Sequence, residues 1–288
     1  MNILRETDDE RVGLATQDNL FALFRSMASL PGGELVASHG LSFHHAMPSN
    51  PMFKGVWGTH LVDEDVEAAI DDVLEWFEAR EAPFFFWWTG PGTMPADLGQ
   101  RLEARGFLSM AEQAEALAPG ILATDRGSPC MITELDRLVV DAIDQAPDGL
   151  RIDPVTTEED LAAFVSILVE AMTIPEPLAD GWAQASRAVG IGNTPWRMYL
   201  GRIGDEPVAT NMLFNGGGVA SVYGVAVRPG VRGRGLGGAI TLAPLLDARE
   251  EGYTYAVLFS SLMGVGAYER IGFRSTGQWI DRYLWRRS

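Results

Sequence analysis

The chain has 288 residues, 47% of them apolar and 21% charged, enough for a sizeable core spread over two domains and too apolar for bulk disorder. Its net charge of −17 is uneven: residues 1–150 hold 9 Lys+Arg against 25 Asp+Glu, and residues 151–288 hold 13 against 14. No basic face for nucleic acid and no apolar run near the roughly 18 residues of a membrane span is visible, and the single cysteine, Cys130, excludes an internal disulfide.

The opening MNILRETDDERVG lacks the apolar stretch of a secretory leader, so a cytoplasmic protein is expected. A strand over 54–61 (KGVWGTHL) is predicted before a helix over 63–81. Strand PFFFWWTG (83–90) and helix ADLGQRLEARGF (96–107) follow. This half extends to residue 118, and residues 119–148, rich in Pro-Gly and Gly-Ser-Pro punctuation, read as a connection.

From 149 the pattern sharpens. Strand GLRIDPV (149–155) meets Thr156-Thr157-Glu158-Glu159-Asp160, two overlapping capping boxes, and then a helix over 161–172 that stops at the prolines of TIPEP (173–177). A second helix spans 178–189. Strands follow over 197–203, 207–214 and 219–227, with Gly204-Asp205 and Gly216–Gly218 as turns. Beyond the helix after residue 237 come strand YAVLFSS (255–261), a short helix through AYERIG, and two final strands, FRSTGQ and WIDRYLWRR.

Between the strand ending at Val227 and the next helix stands Arg232-Gly-Arg-Gly-Leu-Gly237. Glycines admit close backbone approach, and a helix start presents unpaired N–H groups with the positive end of its dipole behind them, which makes an anion cradle for a phosphate or pyrophosphate. Gly233-x-Gly235-x-x-Gly238 also fits a dinucleotide fingerprint. That fold wants the glycines at the strand's end and an acid closing the next strand, whereas here the loop starts later and the next strand ends in serines.

The fuller pattern is Val227-x-Pro229-x-x-Arg232-x-x-Gly235-x-Gly237, followed by Tyr268-x-x-x-Gly272-Phe273. It resembles the GNAT superfamily of N-acetyltransferases and covers residues 149–288. The resemblance implies an α/β (α+β) fold with a mixed, mostly antiparallel central sheet flanked by helices. It also implies acetyl-coenzyme A as co-substrate with no metal, and direct transfer of the acetyl group to a primary amine on a small molecule or peptide. Carried over residue by residue, Arg232, Gly233, Arg234, Gly235, Leu236 and Gly237 would hold the pyrophosphate through backbone N–H groups. Val225, Ala226 and Val227 would pair with the pantetheine arm, the Val225 amide polarising the thioester carbonyl. Tyr268 would approach the sulfur and donate a proton as the thiolate leaves. Ser261 stands where the family often has an asparagine, and Gly264 replaces a common alanine.

The base is less legible. In this family's fold the connection between the first two helices, the central strand and the last hairpin line the acceptor pocket, which nominates Glu176, with Asp180 and Asp281 behind it and Tyr223 as a polar wall. Deprotonation through water stays open. His39, His44, His45 and His60 lack the regular spacing of a metal site, and no Gly-x-Ser-x-Gly elbow anchors a hydrolase triad.

The first half reads as a copy of the second. Arg101-Leu-Glu-Ala-Arg-Gly-Phe107 aligns with Ala267-Tyr-Glu-Arg-Ile-Gly-Phe273, so Leu102 replaces Tyr268, and Thr59-His-Leu-Val-Asp-Glu-Asp65 replaces the glycine loop. Residues 1–118 are therefore expected to be a degenerate GNAT-like domain without a cofactor site, and residues 149–288 the catalytic one. No nucleic acid or membrane partner is expected, and the protein would be a monomer or homodimer. Two alternatives remain: a coenzyme A-binding sensor or scaffold without turnover, and a transferase using another acyl-coenzyme A donor.

Overall fold

The computed structural model describes residues 3–5, 9–38, 40–46, 53–110, 112–113, 127–141, 146–172 and 176–287, with backbone only at 9–10 and 176–179. In chain order the elements are helix α1 (Asp9–Ala28), strands β1 (Glu34–Ser38), β2 (Leu41–His45) and β3 (Lys54–Trp57), helix α2 (Val66–Glu78), β4 (Phe84–Thr89), α3 (Leu98–Ala104), β5 (Ser128–Glu134), β6 (Leu150–Pro154), α4 (Glu158–Met172), α5 (Glu176–Val189), β7 (Trp196–Ile203), β8 (Glu206–Gly216), β9 (Val219–Val227), α6 (Leu236–Glu250), β10 (Tyr255–Phe259), α7 (Leu262–Arg270) and β11 (Arg274–Arg286).

Among the described residues the strands form one sheet in the order β1-β2-β3-β4-β11-β5-β10-β9-β8-β7-β6. Only β3–β4 and β9–β10 pair in parallel. The two halves exchange strands at the centre. β5, from the segment read as a connection, inserts between β10 and the first part of β11, pairing Phe259 with Cys130 and Ser275 with Met131. The second part of β11 returns the exchange. Residues 281–286 pair with β4, Asp281 opposite Thr89 and Arg286 opposite Phe84, while Leu284 bridges Leu108 on the other side.

Helices cover both faces because each strand alternates its side chains. On one face α1, α4 and α5 pack over β8, β9 and β11, with Leu20, Phe24 and Met27 joining Phe164, Trp196, Met212 and Phe214 in one core. On the other, α6 sets Leu236, Ile240 and Leu245 against Leu213, Val222 and Leu258. In the first half α2 and α3 bury Ile70, Phe77 and Leu102 against Phe85 and Trp87. Asn19 pins α1 to the second half: its Nδ2 donates to the carbonyls of Gly216 (2.9 Å) and Val219 (3.2 Å), and its Oδ1 accepts from Tyr223 (2.7 Å).

Elements expected after 149 fall within a few residues of their predicted places. One capping box closes, with Thr157 Oγ1 accepting from the Asp160 amide (3.1 Å) and Asp160 Oδ2 accepting from the Thr157 amide (3.2 Å). Two readings change. The connection 119–148 contains a central strand, and the two final strands are one, bulged between Ser275 and Trp279, where Gly277 takes φ +76°. In helix α6, Pro244 has no N–H for the carbonyl of Ile240. The buried Asn211 of β8 supplies the missing donor, its Nδ2 lying 2.7 Å from that oxygen.

Candidate active site

Strands β9 and β10 run in parallel but pair only at Ala220–Ala256 and Ser221–Val257, then diverge. Beyond Ser221 the edge of β9 facing β10 has no strand partner among the described residues, so an extended arm could add there as a strand. A bulge sharpens the divergence. Thr210 and Met212 of β8 face Ala226 and Tyr223, one more residue on β9 than on β8, with Gly224 at φ +57° absorbing the extra turn. Thr210 Oγ1 locks it, donating to the Gly224 carbonyl at 2.8 Å.

The glycine loop lies at the open end of this cleft. A turn of 3-10 helix over Pro229–Val231 leads to Gly233 at φ +77° and Gly235 at φ +78°, the residue preceding α6. Among the described residues no protein group accepts from the N–H groups of Gly233, Arg234 or Gly235. A Cβ placed on Gly233 or Gly237 would meet no atom within 4 Å, so the backbone here is open to close approach. Leu236, 1% exposed, anchors the helix start in the core beneath. A cradle of free N–H groups at a helix N-terminus, open to solvent, fits a phosphate group.

Two arginines tie this loop to α4. Arg232 donates from Nε to the Val227 carbonyl (3.1 Å) and from Nη2 to the Ala171 carbonyl (2.8 Å). Arg228 bonds Glu170, Ser166 and the Pro207 carbonyl.

Across the cleft, Ser261 precedes α7 and is exposed, and Tyr268 stands on that helix. Burial pushes the Tyr268 hydroxyl up to about 12, and no described protein group bonds it. The helix ends as its counterpart does: Phe273 N donates to Tyr268 O (3.0 Å) and Phe107 N to Leu102 O (3.1 Å), with Gly272 and Gly106 both at positive φ. Gly264 has a local reason. A Cβ there would lie 2.7 Å from Ser260 Oγ and 3.1 Å from the Tyr268 ring, so the glycine lets Tyr268 approach closely.

The nominated carboxylates separate. Glu176 opens α5, but its side chain falls outside the described residues. Asp180 is engaged, accepting from Gln184 Nε2 (3.0 Å) and pairing with Arg187 (3.5 Å). Asp281 shares a face of β11 with Tyr283, toward α3. Burial raises its pKa, offset by Arg282 and reinforced by Glu103. Tyr223 has its hydroxyl committed to Asn19, and burial raises its pKa strongly. The sequence reading missed Phe259, which packs on Tyr223 (centroids 5.9 Å) and on Trp88 of β4 (6.3 Å), joining the cleft to the first half.

The counterpart loop in the first half carries no cradle. Asp63–Asp65 form a 3-10 turn, and Asp63 pairs with Arg101 (2.7 Å). His44 is fully buried and accepts from Trp57 Nε1 (3.2 Å). Among the described residues no three His, Cys, Asp or Glu side chains gather as metal ligands, and no helix is long and apolar enough to cross a membrane.

Residues 161–273 match the model of the acetyltransferase (GNAT) family. A 68-residue stretch, 23% of the chain, is 40% identical to N-acetyltransferase 8B of Rattus norvegicus and spans 31% of that protein, about a third of its length. A GCN5-related N-acetyltransferase from Kribbella flavida superposes with a TM-score of 0.68 at 17% identity, over 93% of this chain and 95% of that one. A tandem GNAT protein from the clavulanic acid biosynthesis pathway superposes at 0.55 with 15% identity, over 99% and 97%. At these identities the superpositions speak for the fold, a tandem one included.

Proposed function

We propose that this chain, whose residues 161–273 match the acetyltransferase (GNAT) family model, moves an acetyl group from acetyl-coenzyme A to a primary amine. The observation that carries this reading is the cradle of N–H groups over 233–235 that no described protein group accepts from, set against the edge of β9 and the hydroxyl of Tyr268, neither of which has a partner among the described residues. Residues 149–288 are assigned the catalytic role and residues 1–118 a supporting one.

In this reading the backbone of Arg232 to Gly237 holds the coenzyme's pyrophosphate. Val225, Ala226 and Val227 bind its arm as an added strand, and Ser261 supplies a further hydrogen bond. The thioester supplies an activated acetyl group. The Val225 amide, fixed by the bulge at Gly224, stabilises the charge that grows on the carbonyl oxygen. Tyr268, its hydroxyl pushed up to about 12, stays neutral over the working range. Full proton transfer to a thiolate of pKa ~8.5 is uphill by roughly 5 kcal/mol. Tyr268 therefore acts first as a hydrogen-bond donor to the leaving sulfur and gives up its proton only late. Freeing an alkylammonium's lone pair at pH 7 costs about 4.6 kcal/mol, and Glu176, at the start of α5, is the assigned base.

The test is thiol release with a panel of primary amines. Tyr268→Phe should lower kcat about 10²-fold with little change in coenzyme affinity. Gly237→Asp, which puts a carboxylate into the cradle, should weaken coenzyme binding at least about tenfold. Coenzyme binding with no release across a broad panel would instead indicate a sensor, and release from a longer acyl donor alone a different transferase.

A further inference from the structure

Partly buried arginines elsewhere in this chain meet carboxylates: Arg202 pairs with Asp160, Arg228 with Glu170, and Arg101 with Asp63 and Asp97. Arg282 does not. Its backbone N–H donates to Asp281 Oδ1 (2.7 Å) and its carbonyl accepts from Gln113 Nε2 (3.2 Å), but its guanidinium donates to no described protein group. Nε is sealed from water with no partner. The guanidinium carbon lies over the rings of Phe86 (4.9 Å) and Trp88 (5.7 Å). Asp281 acts on it only through space from the other face of the strand, and aromatic faces offset only part of what a cation loses when water is removed.

The position of this cation is informative. Strand alternation sends Arg282 to the face of Ile280 and Leu284, opposite Asp281 and Tyr283. Trp88 beneath it touches Phe259 of β10, which touches Tyr223 of β9. A continuous aromatic wall thus runs from the cleft between β9 and β10 to Arg282. A guanidinium laid over ring faces, with its two terminal nitrogens unbonded among the described residues, matches a carboxylate held by two N–H groups.

We propose that Arg282 receives a carboxylate carried by the acceptor, so that the acceptor is an amine that also bears a carboxylate, as an amino acid or short peptide does. The inference rests on the acetyl-transfer reading given above. It also reconciles an acidic chain with a partly buried cation: the ammonium end is drawn in by a net charge of −17, and the carboxylate end is held at one place.

The experiment uses the full chain with Arg282→Met and Arg282→Lys, coenzyme titration verifying that each variant is folded. Thiol release is followed with amino acids and with their amides, which keep the amine and remove the carboxylate. The wild type should show a KM for the acids at least about tenfold below that for the amides. Arg282→Met should erase the difference while leaving kcat on the amides unchanged, and Arg282→Lys, if the methionine variant does not fold, should retain only part of it. Equal KM values in the wild type, or a preference that survives in Arg282→Met, overturns the proposal. If no amine releases thiol, the acetyl-transfer reading fails, and N-acetylglycine then serves as a binding probe. Thermal stabilisation of the wild type but not of Arg282→Met upholds the carboxylate site, and no stabilisation removes it.

Discussion

At the scale of single residues, burial decides which groups can titrate. His44 is fully buried, accepts a hydrogen bond from Trp57 Nε1 through Nδ1, and is pushed down to about 3 by the loss of water. A histidine kept neutral in the fold but titrating near 6.5 when unfolded stabilises the protein in full above pH ~6.5. That stability is lost progressively as pH falls toward 3. By pH 5 the loss is about 2 kcal/mol, and His45, also shifted down chiefly by burial, adds to it with the same sign. Urea unfolding at pH 7.5 and pH 5 should show this fall, and His44→Gln should flatten it; an unchanged slope in the variant would remove His44 as the cause. Residue identity alone could not say this, because a histidine in a sequence does not reveal whether it will be covered.

Among elements, α6 carries both the candidate cradle and an internal proline. Asn211 compensates for Pro244 by donating to the Ile240 carbonyl, a buried bond of 2.7 Å. Asn211→Ala should cost about 1–3 kcal/mol in thermal unfolding, since the carbonyl is left without a donor. In a Pro244→Ala background a helical N–H returns, so the same substitution should cost about 1 kcal/mol less; strict additivity would refute the compensation. Elements defined by local signals were legible: the capped helix α4, the hairpin turns and the strand–loop–helix unit that carries the cradle. β5 was not, because SPCMITE is a short apolar run among turn-forming residues, and only pairing with β10 and β11 makes it a strand. β11 was split because Gly277 breaks its alternation, and Arg282 was passed over because nothing local marks a cation that lacks a partner.

At the scale of the whole molecule, each half completes its sheet with the other's strand. A fragment of residues 149–288 lacks β5, which would expose the edges of β10 and β11. Expressed alone it should aggregate or remain without a cooperative unfolding transition, and co-expression with residues 1–148 should restore both fold and coenzyme binding. A fragment that folds cooperatively by itself would contradict this. The exchange also bears on how the chain is made. As it leaves the ribosome, the first half cannot close, because the strand beside β4 belongs to residues 281–286 and is synthesised long after β4 has emerged. The aromatic edge of β4 must then wait, open to wrong partners, until residues 281–286 have emerged. Slow translation ahead of residues 281–286, or a chaperone that holds Phe84–Thr89, would then affect the yield of this protein.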